Sequence, residues 1–227
     1  MVSREAYGEG LRFISLTFKI ITMTIKLEKK HLIIGVSVVV LCVVMCVGWH
    51  FYSVNKFEKN ATEFKARTSS LLLPMSFVLD DYQKNWRSAI FDKEAYDETG
   101  FSRYCSDFNT AISWRKEAMK HLTNLIGTYL YDIEDLLKEM DNPPSKYEKV
   151  YDKFVTIYNN LYKLKKQCQS PEGSLQTFSQ NINDLVSDIG TDLNETDLTI
   201  PKDIELMTKY TDEFTKSLEV VTKALKD

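Results

Sequence analysis

LIIGVSVVVLCVVMCVGW, residues 32–49, is the stretch that decides the architecture of this 227-residue chain. It contains no Asp, Glu, Lys or Arg, and as a helix it is long enough to cross the roughly 30 Å hydrocarbon core of a bilayer. A buried β-strand of the same composition would be far shorter. The sequence therefore predicts a single transmembrane helix over residues 31–52.

The residues beside this run set its boundaries and orientation. Lys29 and Lys30 precede it, and Trp49 and Tyr52 stand at its trailing edge, where amphipathic aromatic side chains settle at the headgroup level. No A-x-A-like cleavage site follows, so we expect an uncleaved signal anchor. Basic residues are denser before the span than after it, which predicts a cytoplasmic N-terminus and an extracytoplasmic C-terminal domain.

Residues 1–30 are interpreted as a cytoplasmic N-terminal tail. Met23 opens a short basic leader of the kind that precedes a signal anchor. Residues 1–22 are therefore either a mis-assigned translation start or a short additional tail. Peptides from residues 1–22 in the native protein would rule out a start at Met23.

The composition of residues 53–227 favours long helices and excludes one class of partner. The whole chain has only 8 Gly and 5 Pro, too few turn residues for a β-sandwich, while 27% of its residues are charged. After the span, 23 Lys and Arg stand against 29 Asp and Glu, a net charge of −6. Nucleic-acid binders need a basic surface, so nucleic acid is not expected as a partner.

Beyond Tyr52, apolar residues recur at alternating steps of three and four, the period of helices that share a core. The pattern predicts an all-α fold, an elongated antiparallel helical bundle of about five helices with coiled-coil-like packing in a soluble domain over residues 53–227. No sheet is needed to explain any segment. Pro74 is expected to kink the first helix, because it removes a backbone hydrogen bond.

Turn residues separate the predicted helices. Asp141–Pro144 ends the second helix, since consecutive prolines do not continue one. Ser145-x-x-Glu148 has the capping-box pattern and is predicted to open the third helix. Ser170 and Pro171 fit the N-cap and first helical position of the fourth, and the fifth is expected to begin near residue 201.

A first hairpin that turns near Asp97 would place Trp86 opposite Phe108. The later helices are shorter, so the upper part of the first two is expected to project as a two-helix tip. Exposed aromatic clusters often mark partner sites. The predicted partner-contact residues of the tip are Phe91, Tyr96, Phe101 and Tyr104. The open alternative is that they pack into a small core that closes the hairpin.

No cluster in the sequence has a catalytic, metal or cofactor signature, so neither a cofactor nor an enzyme activity is expected. Glu117 and His121 have the wrong spacing for a di-iron bundle and are predicted to be an exposed pair. The acidic residues in 132–139 lack the glycine of a calcium loop and are expected to be solvated. The register separates Cys105 from Cys168 by about 21 Å, too far for a disulfide. Cys168 is expected in the core and Cys105 partly buried.

These features predict a membrane-anchored, single-pass protein whose extracytoplasmic helical bundle is an interaction or scaffold module without catalytic activity. Its expected partners are the lipid bilayer and another protein. One alternative is a receptor-like sensor that binds a small ligand between helices and signals through a partner. Another is a cytosol-facing tether, which requires the reversed topology and which protease protection of the C-terminal domain would distinguish.

Overall fold

The computed structural model describes the backbone of residues 4–224 and the side chains of residues 34–220. The protein is mostly helical, in agreement with the apolar periodicity. In chain order its elements are α1 (Arg4–Phe91), β1 (Glu94–Tyr96), β2 (Ser102–Tyr104), α2 (Phe108–Glu139), a 3₁₀ turn (Ser145–Tyr147), α3 (Glu148–Gln169), α4 (Leu175–Thr196) and α5 (Ile204–Ala224). The chain divides into two compact units, Met1–Tyr52 and Ser53–Asp227.

The first unit contains the apolar run. Its helix is long and apolar enough to cross a membrane, and every described side chain from 34 to 52 is exposed. Trp49 and Tyr52 lie together at the end of the unit, with ring centroids 6.3 Å apart. Lys29 and Lys30 belong to α1, but their side chains lie outside the described part. Because α1 begins at Arg4, the predicted span is one section of a longer helix.

In the second unit, the section of α1 that begins at Ser53 contacts all four of the other α-helices that the structure describes. One contact to each shows this: Asp81 with Arg115 of α2, Phe64 with Phe154 of α3, Trp86 with Phe178 of α4, and Ser70 with Met207 of α5. Helices α2 and α3 also pack on each other, as do α3 and α4. This section of α1 therefore lies at the centre of the core, and Pro74 lies inside it.

The predicted contact between Trp86 and Phe108 is present, with the two rings stacked 5.5 Å apart. At the other end of the same pair of helices, Asn60 donates a hydrogen bond of 3.1 Å to Glu139. The contact between Trp86 and Phe108 is the one that the turn position predicted.

A buried polar contact holds α1 to the connection between α4 and α5. Lys65, only 3% exposed, forms an ion pair with Asp197 and donates a hydrogen bond to the Ile200 carbonyl. Burial lowers the pKa of Lys65, while the bond to Asp197 opposes that shift. A buried ammonium needs such partners, because leaving it unpaired would cost several kcal/mol (about 3–5).

The capping-box prediction at Ser145 is wrong. Ser145–Tyr147 is a 3₁₀ turn without a side-chain cap, and α3 begins at Glu148. The Tyr147 ring stacks on Phe57 at 4.7 Å, and its hydroxyl donates a hydrogen bond to Glu58. We attribute the tighter turn to these contacts with α1, which fix the position of Tyr147.

The predicted start of α4 at Ser170 is also wrong. Ser170 caps the end of α3 instead, and Gly173 takes a φ of +98°, which does not continue a helix. Ser174 then accepts a 3.1 Å hydrogen bond from the Thr177 amide and is the actual N-cap. A serine N-cap is thus correct for α4, but the serine is Ser174, four residues after the predicted one.

The segment between α1 and α2 contains the largest departure from the predicted fold. β1 and β2 form a two-stranded antiparallel sheet there, so the predictions of a fold without a sheet and of a two-helix tip are wrong. Helix α2 begins at Phe108 and is capped by the Asp107 carboxylate. The element that joins α1 to α2 is therefore a β-hairpin.

Candidate interaction site at the β-hairpin

The hairpin is a short and regular structure. Ala95 lies opposite Arg103, and Tyr96 lies opposite Ser102. Gly100 takes a φ of +85° in the turn, a left-handed backbone conformation that disfavours any other side chain. The turn is closed by hydrogen bonds between backbone groups at residues 97, 100 and 101.

A small core of short side chains lies beneath the hairpin. Ala89, Ala95, Cys105 and Ala111 are buried together, and Trp114 packs against them. The four aromatic residues of the tip do not belong to this cluster. The alternative prediction, that they form a small core closing the hairpin, is therefore wrong.

Asn85 joins the hairpin to both neighbouring helices. This side chain of α1 is 2% exposed. Its amide nitrogen donates to the carbonyls of Tyr96 and Ala111, at 3.0 and 3.1 Å, and its oxygen accepts from the Tyr96 amide at 2.6 Å. One side chain thereby pairs both the amide and the carbonyl of Tyr96, which would otherwise lie unpaired at the edge of the sheet.

Asp97 organises the turn. One carboxylate oxygen accepts from the Thr99 amide, the Thr99 hydroxyl and the Phe101 amide, at 2.9, 2.6 and 3.0 Å. The other oxygen forms an ion pair with Arg103. The hydrogen bond from the Thr99 hydroxyl contributes most to lowering the pKa of Asp97 below its usual value, which keeps the carboxylate ionised.

Arg115 ties the same turn to α1. It donates to the Asp97 carbonyl at 3.0 Å and forms two bonds with the Asp81 carboxylate, at 2.7 and 3.0 Å. The bidentate pair is a geometrically specific contact, because the planar guanidinium matches the carboxylate. The hairpin is thus held by buried polar contacts on the side that faces the helices.

The predicted aromatic residues lie on the outside of this braced structure. The exposed fractions are 69% for Phe91, 52% for Tyr96, 71% for Phe101 and 77% for Tyr104. Side chains alternate along a strand, so the register puts Tyr96 and Tyr104 on one face and Ala95 on the other. Three of the exposed rings, those of Tyr96, Phe101 and Tyr104, therefore belong to the hairpin, while Phe91 is the last residue of α1. Exposed rings also occur elsewhere, at Phe77 and Tyr131 among others.

The sequence did not reveal the three residues that brace the hairpin, although two of them, Asn85 and Asp97, left a signal. Asn85 follows Tyr82 and precedes Ala89 on the apolar seam of α1, where a polar residue needs a partner. Asp97 begins the segment Asp-Glu-Thr-Gly, which is typical of an Asx turn. The partners of Asn85 lie 11 and 26 residues away along the chain, and Arg115 lies 18 residues from Asp97, so no local pattern specifies these contacts.

The structure also places the other residues that were considered for chemistry. His121 and Glu117 are both exposed, and Glu117 pairs with Lys120 at 3.1 Å. Cys105 and Cys168 are buried free thiols in separate clusters. No group of three or more His, Cys, Asp or Glu side chains is placed to hold a metal ion within the described residues.

The acidic residues of α2, expected to be solvated, in part contact other elements. Asp132 pairs with Arg67 at 3.0 Å, and Glu139 pairs with Lys56 at 3.7 Å. These residues remain partly exposed, so each ion pair contributes at most about 1 kcal/mol. These ion pairs therefore help to fix which sides of α1 and α2 face each other.

Two grooves between helices are further features that the sequence did not predict. One has a volume of about 370 Å³ and is lined mainly by apolar side chains of α1, α2 and α5, including Leu73, Phe77 and Phe214. The other has a volume of about 430 Å³ and is lined by residues of α2 and α3. Both volumes fall in the range of small-molecule sites, roughly 300–1,000 Å³.

Comparison with known proteins gives no relative from which a role could be transferred: no protein-family model, curated protein or solved structure matches this chain.

Proposed function

We propose that this protein is a membrane-anchored, non-catalytic interaction module that binds a partner protein through the aromatic face of its β-hairpin. The observation that supports the proposal is the exposure of Tyr96, Phe101 and Tyr104 on a hairpin braced by buried polar residues, with Phe91 also exposed at the end of α1 just before it in the chain. Aromatic side chains are over-represented among the residues that contribute most to binding at protein interfaces.

The bracing of the hairpin adds to this argument. Asn85, Asp97 and Arg115 fix the backbone to which the rings are attached. Binding of a partner then costs this protein little conformational entropy, because its contact surface is already ordered. A flexible loop carrying the same rings would bind more weakly.

The proposal places the hairpin on an antiparallel bundle anchored by the apolar run. Contacts between α1 and α2 descend along one helix as they ascend along the other, from Trp86–Phe108 to Asn60–Glu139, which supports the antiparallel arrangement. The basic residues before the span support an extracytoplasmic second unit. Protease protection of residues 53–227 in intact cells tests that side: cleavage from outside supports it, and full protection would indicate the reversed topology.

A non-catalytic role is proposed because the buried charged groups at the hairpin, Asp97 and Arg115, are held by structural partners. Asp97 is engaged by Thr99 and Arg103, and Arg115 is engaged by Asp81. These side chains stabilise the hairpin, and their polar atoms face one another and not a space that a substrate could enter. The side chains that this surface offers to a partner are mainly aromatic rings.

Site-specific photo-crosslinking in the native membrane tests the partner proposal. A photoreactive amino acid replaces Tyr104 in the full chain, and a matched variant carries it at Leu198, an exposed position between α4 and α5. We expect discrete protein adducts at position 104 but not at 198, and their loss on the additional change Phe101→Ser. The same adducts at both positions, or none at 104, would contradict the proposal.

The apolar groove favours the second candidate, a sensor that binds a small ligand between helices. Leu73 and Phe77 lie one helical turn apart on α1 at the groove, across from Phe214 of α5. Small apolar ligands should raise the melting temperature of the full chain by mass action, and Leu73→Asp should remove the effect. A broad screen without any shift would count against a sensor but would leave the hairpin proposal untouched.

A further inference from the structure

The second groove, which we call the tyrosine groove, lies between α2 and α3. It is lined by Gly127, Leu130, Tyr131, Glu134, Tyr158, Asn159, Tyr162 and Lys165. The α2 members recur at steps of three and four and so form one stripe of that helix. Leu130 is buried at the base, whereas Tyr131 is 66% exposed and Tyr162 is 41% exposed. Three tyrosines thus converge on one space with their rings partly open to solvent.

The absence of a side chain at residue 127 adds open space to the groove. A β-carbon built at Gly127 would meet only the Lys165 side chain, 3.9 Å away at Cε. Glycine in the interior of a helix costs about 1 kcal/mol relative to alanine, and the backbone here does not require it, since Gly127 does not have a positive φ. The glycine therefore leaves open a space that most other residues would fill.

The polar groups of the groove include donors and acceptors. Glu134 accepts from the Tyr158 hydroxyl at 2.9 Å and pairs with Lys138 at 2.8 Å. The bond from Lys138 contributes most to lowering the pKa of Glu134, so this carboxylate stays ionised and has acceptor sites to spare. Asn159 and Lys165 supply donors, and the amide of Asn159 is also an acceptor.

The charges in the groove argue against an ionic ligand of either sign. The ammonium groups of Lys165 and Lys166 lie 5.5 and 4.9 Å from the centre of the Tyr162 ring, so they already occupy the position that an organic cation would take on this ring. Glu134 would repel an anion. The groove itself is lined by one carboxylate, Glu134, and one ammonium, Lys165, so its formal net charge is zero.

We propose that the tyrosine groove binds a neutral polyhydroxylated ligand, a saccharide. Hydroxyl groups both donate and accept, which matches the mixed set offered by Glu134, Asn159 and Lys165. The C–H face of a sugar ring carries a slight positive charge and stacks on the negative face of an aromatic ring such as Tyr131. A free sugar and a glycan on a partner would present the same chemistry.

This site is separate from the hairpin. None of its residues belongs to the braced segment or to the four aromatic residues of the tip. The two proposals can therefore fail independently of one another.

Saturation-transfer-difference NMR on the full chain in detergent micelles tests the saccharide site. The probes are maltose, cellobiose, lactose and N,N′-diacetylchitobiose, with tetramethylammonium and glucuronate as charged comparators. The blocking variant is Gly127→Leu, which fills the groove without removing a tyrosine and substitutes a better helix former. The matched control is Gly127→Ala, whose β-carbon the structure accommodates.

We expect transfer to at least one neutral disaccharide. Gly127→Leu should abolish it, Gly127→Ala should leave it within about twofold, and Tyr131→Ala should weaken binding about three- to tenfold, the effect of one stacked ring. Tyr104→Ala, on the hairpin, should have no effect. Absence of transfer for all four disaccharides would overturn the proposal. Equal transfer with Gly127→Leu, or stronger binding of either charged comparator, would overturn it as well.

Discussion

Replacing Asn85 by alanine tests how the hairpin is held. The change removes three hydrogen bonds, two to Tyr96 and one to the Ala111 carbonyl. Each such bond contributes about 0.5–1.5 kcal/mol net, and the side chain is almost fully buried, so water only partly replaces it. We expect the free energy of unfolding to fall by about 2–4 kcal/mol.

A second variant separates hydrogen bonding from packing. Asn85→Asp keeps the shape of the side chain but replaces the donating nitrogen by an oxygen, which would face the Tyr96 and Ala111 carbonyls. We expect it to be at least as destabilising as Asn85→Ala. The matched control is Asn181→Ala, an exposed asparagine of α4, which should stay within about 0.5 kcal/mol of wild type.

The measurement is urea unfolding of the full chain in detergent micelles, followed by tryptophan fluorescence. Trp86 and Trp114 lie next to the hairpin and report on its loosening. The hydrogen-exchange rate of the Tyr96 amide measures the local opening of the hairpin directly. A loss below about 0.5 kcal/mol for Asn85→Ala, or full stability for Asn85→Asp, would refute the reasoning that these bonds hold the hairpin.

Three further predictions follow from single side chains. Gly127→Ala should raise the free energy of unfolding by up to about 1 kcal/mol in urea, because the new methyl group meets Lys165 at an ordinary contact distance. The pKa of Asp97 is lowered, chiefly by the Thr99 hydroxyl, so its stabilising contribution is present above the unfolded value of 3.8 and is lost as pH falls through the folded value. Asp97→Asn should flatten the stability profile in that acid range, and an unchanged profile would contradict the assignment. Burial raises the pKa of Cys168 to about 12, so maleimide should label this thiol only after unfolding; labelling in the native state would be inconsistent with the core position.

The sequence was sufficient for the features that depend on period and length. The apolar run at 32–49 predicts a helix long enough to cross a membrane, and the structure contains one. The steps of three and four predicted which residues face the core, and the contact between Trp86 and Phe108 follows from them. Such features are predictable because helix geometry alone relates sequence spacing to direction.

Features that depend on a distant partner were not predictable. The hairpin has strands of three residues each, too short to show an alternating pattern, and its stability rests on Asn85 and Arg115 from two different helices. Helix α4 begins after Ser174 and not at the predicted Ser170. Both serines are suitable N-caps, but the positive φ of Gly173 prevents a helix from continuing through it. The tyrosine groove is visible only once α2 and α3 are placed side by side.

The buried ion pair of Lys65 has a consequence for how the chain is made. Its acceptors, Asp197 and the Ile200 carbonyl, lie 132 and 135 residues farther along. At ordinary rates of translation, this lysine leaves the ribosome on the order of ten seconds before its partners do. During that interval one side of the central helix stays uncovered, and the ammonium must remain hydrated. The innermost helix of the finished domain is therefore among the last to be enclosed, although it is synthesised first.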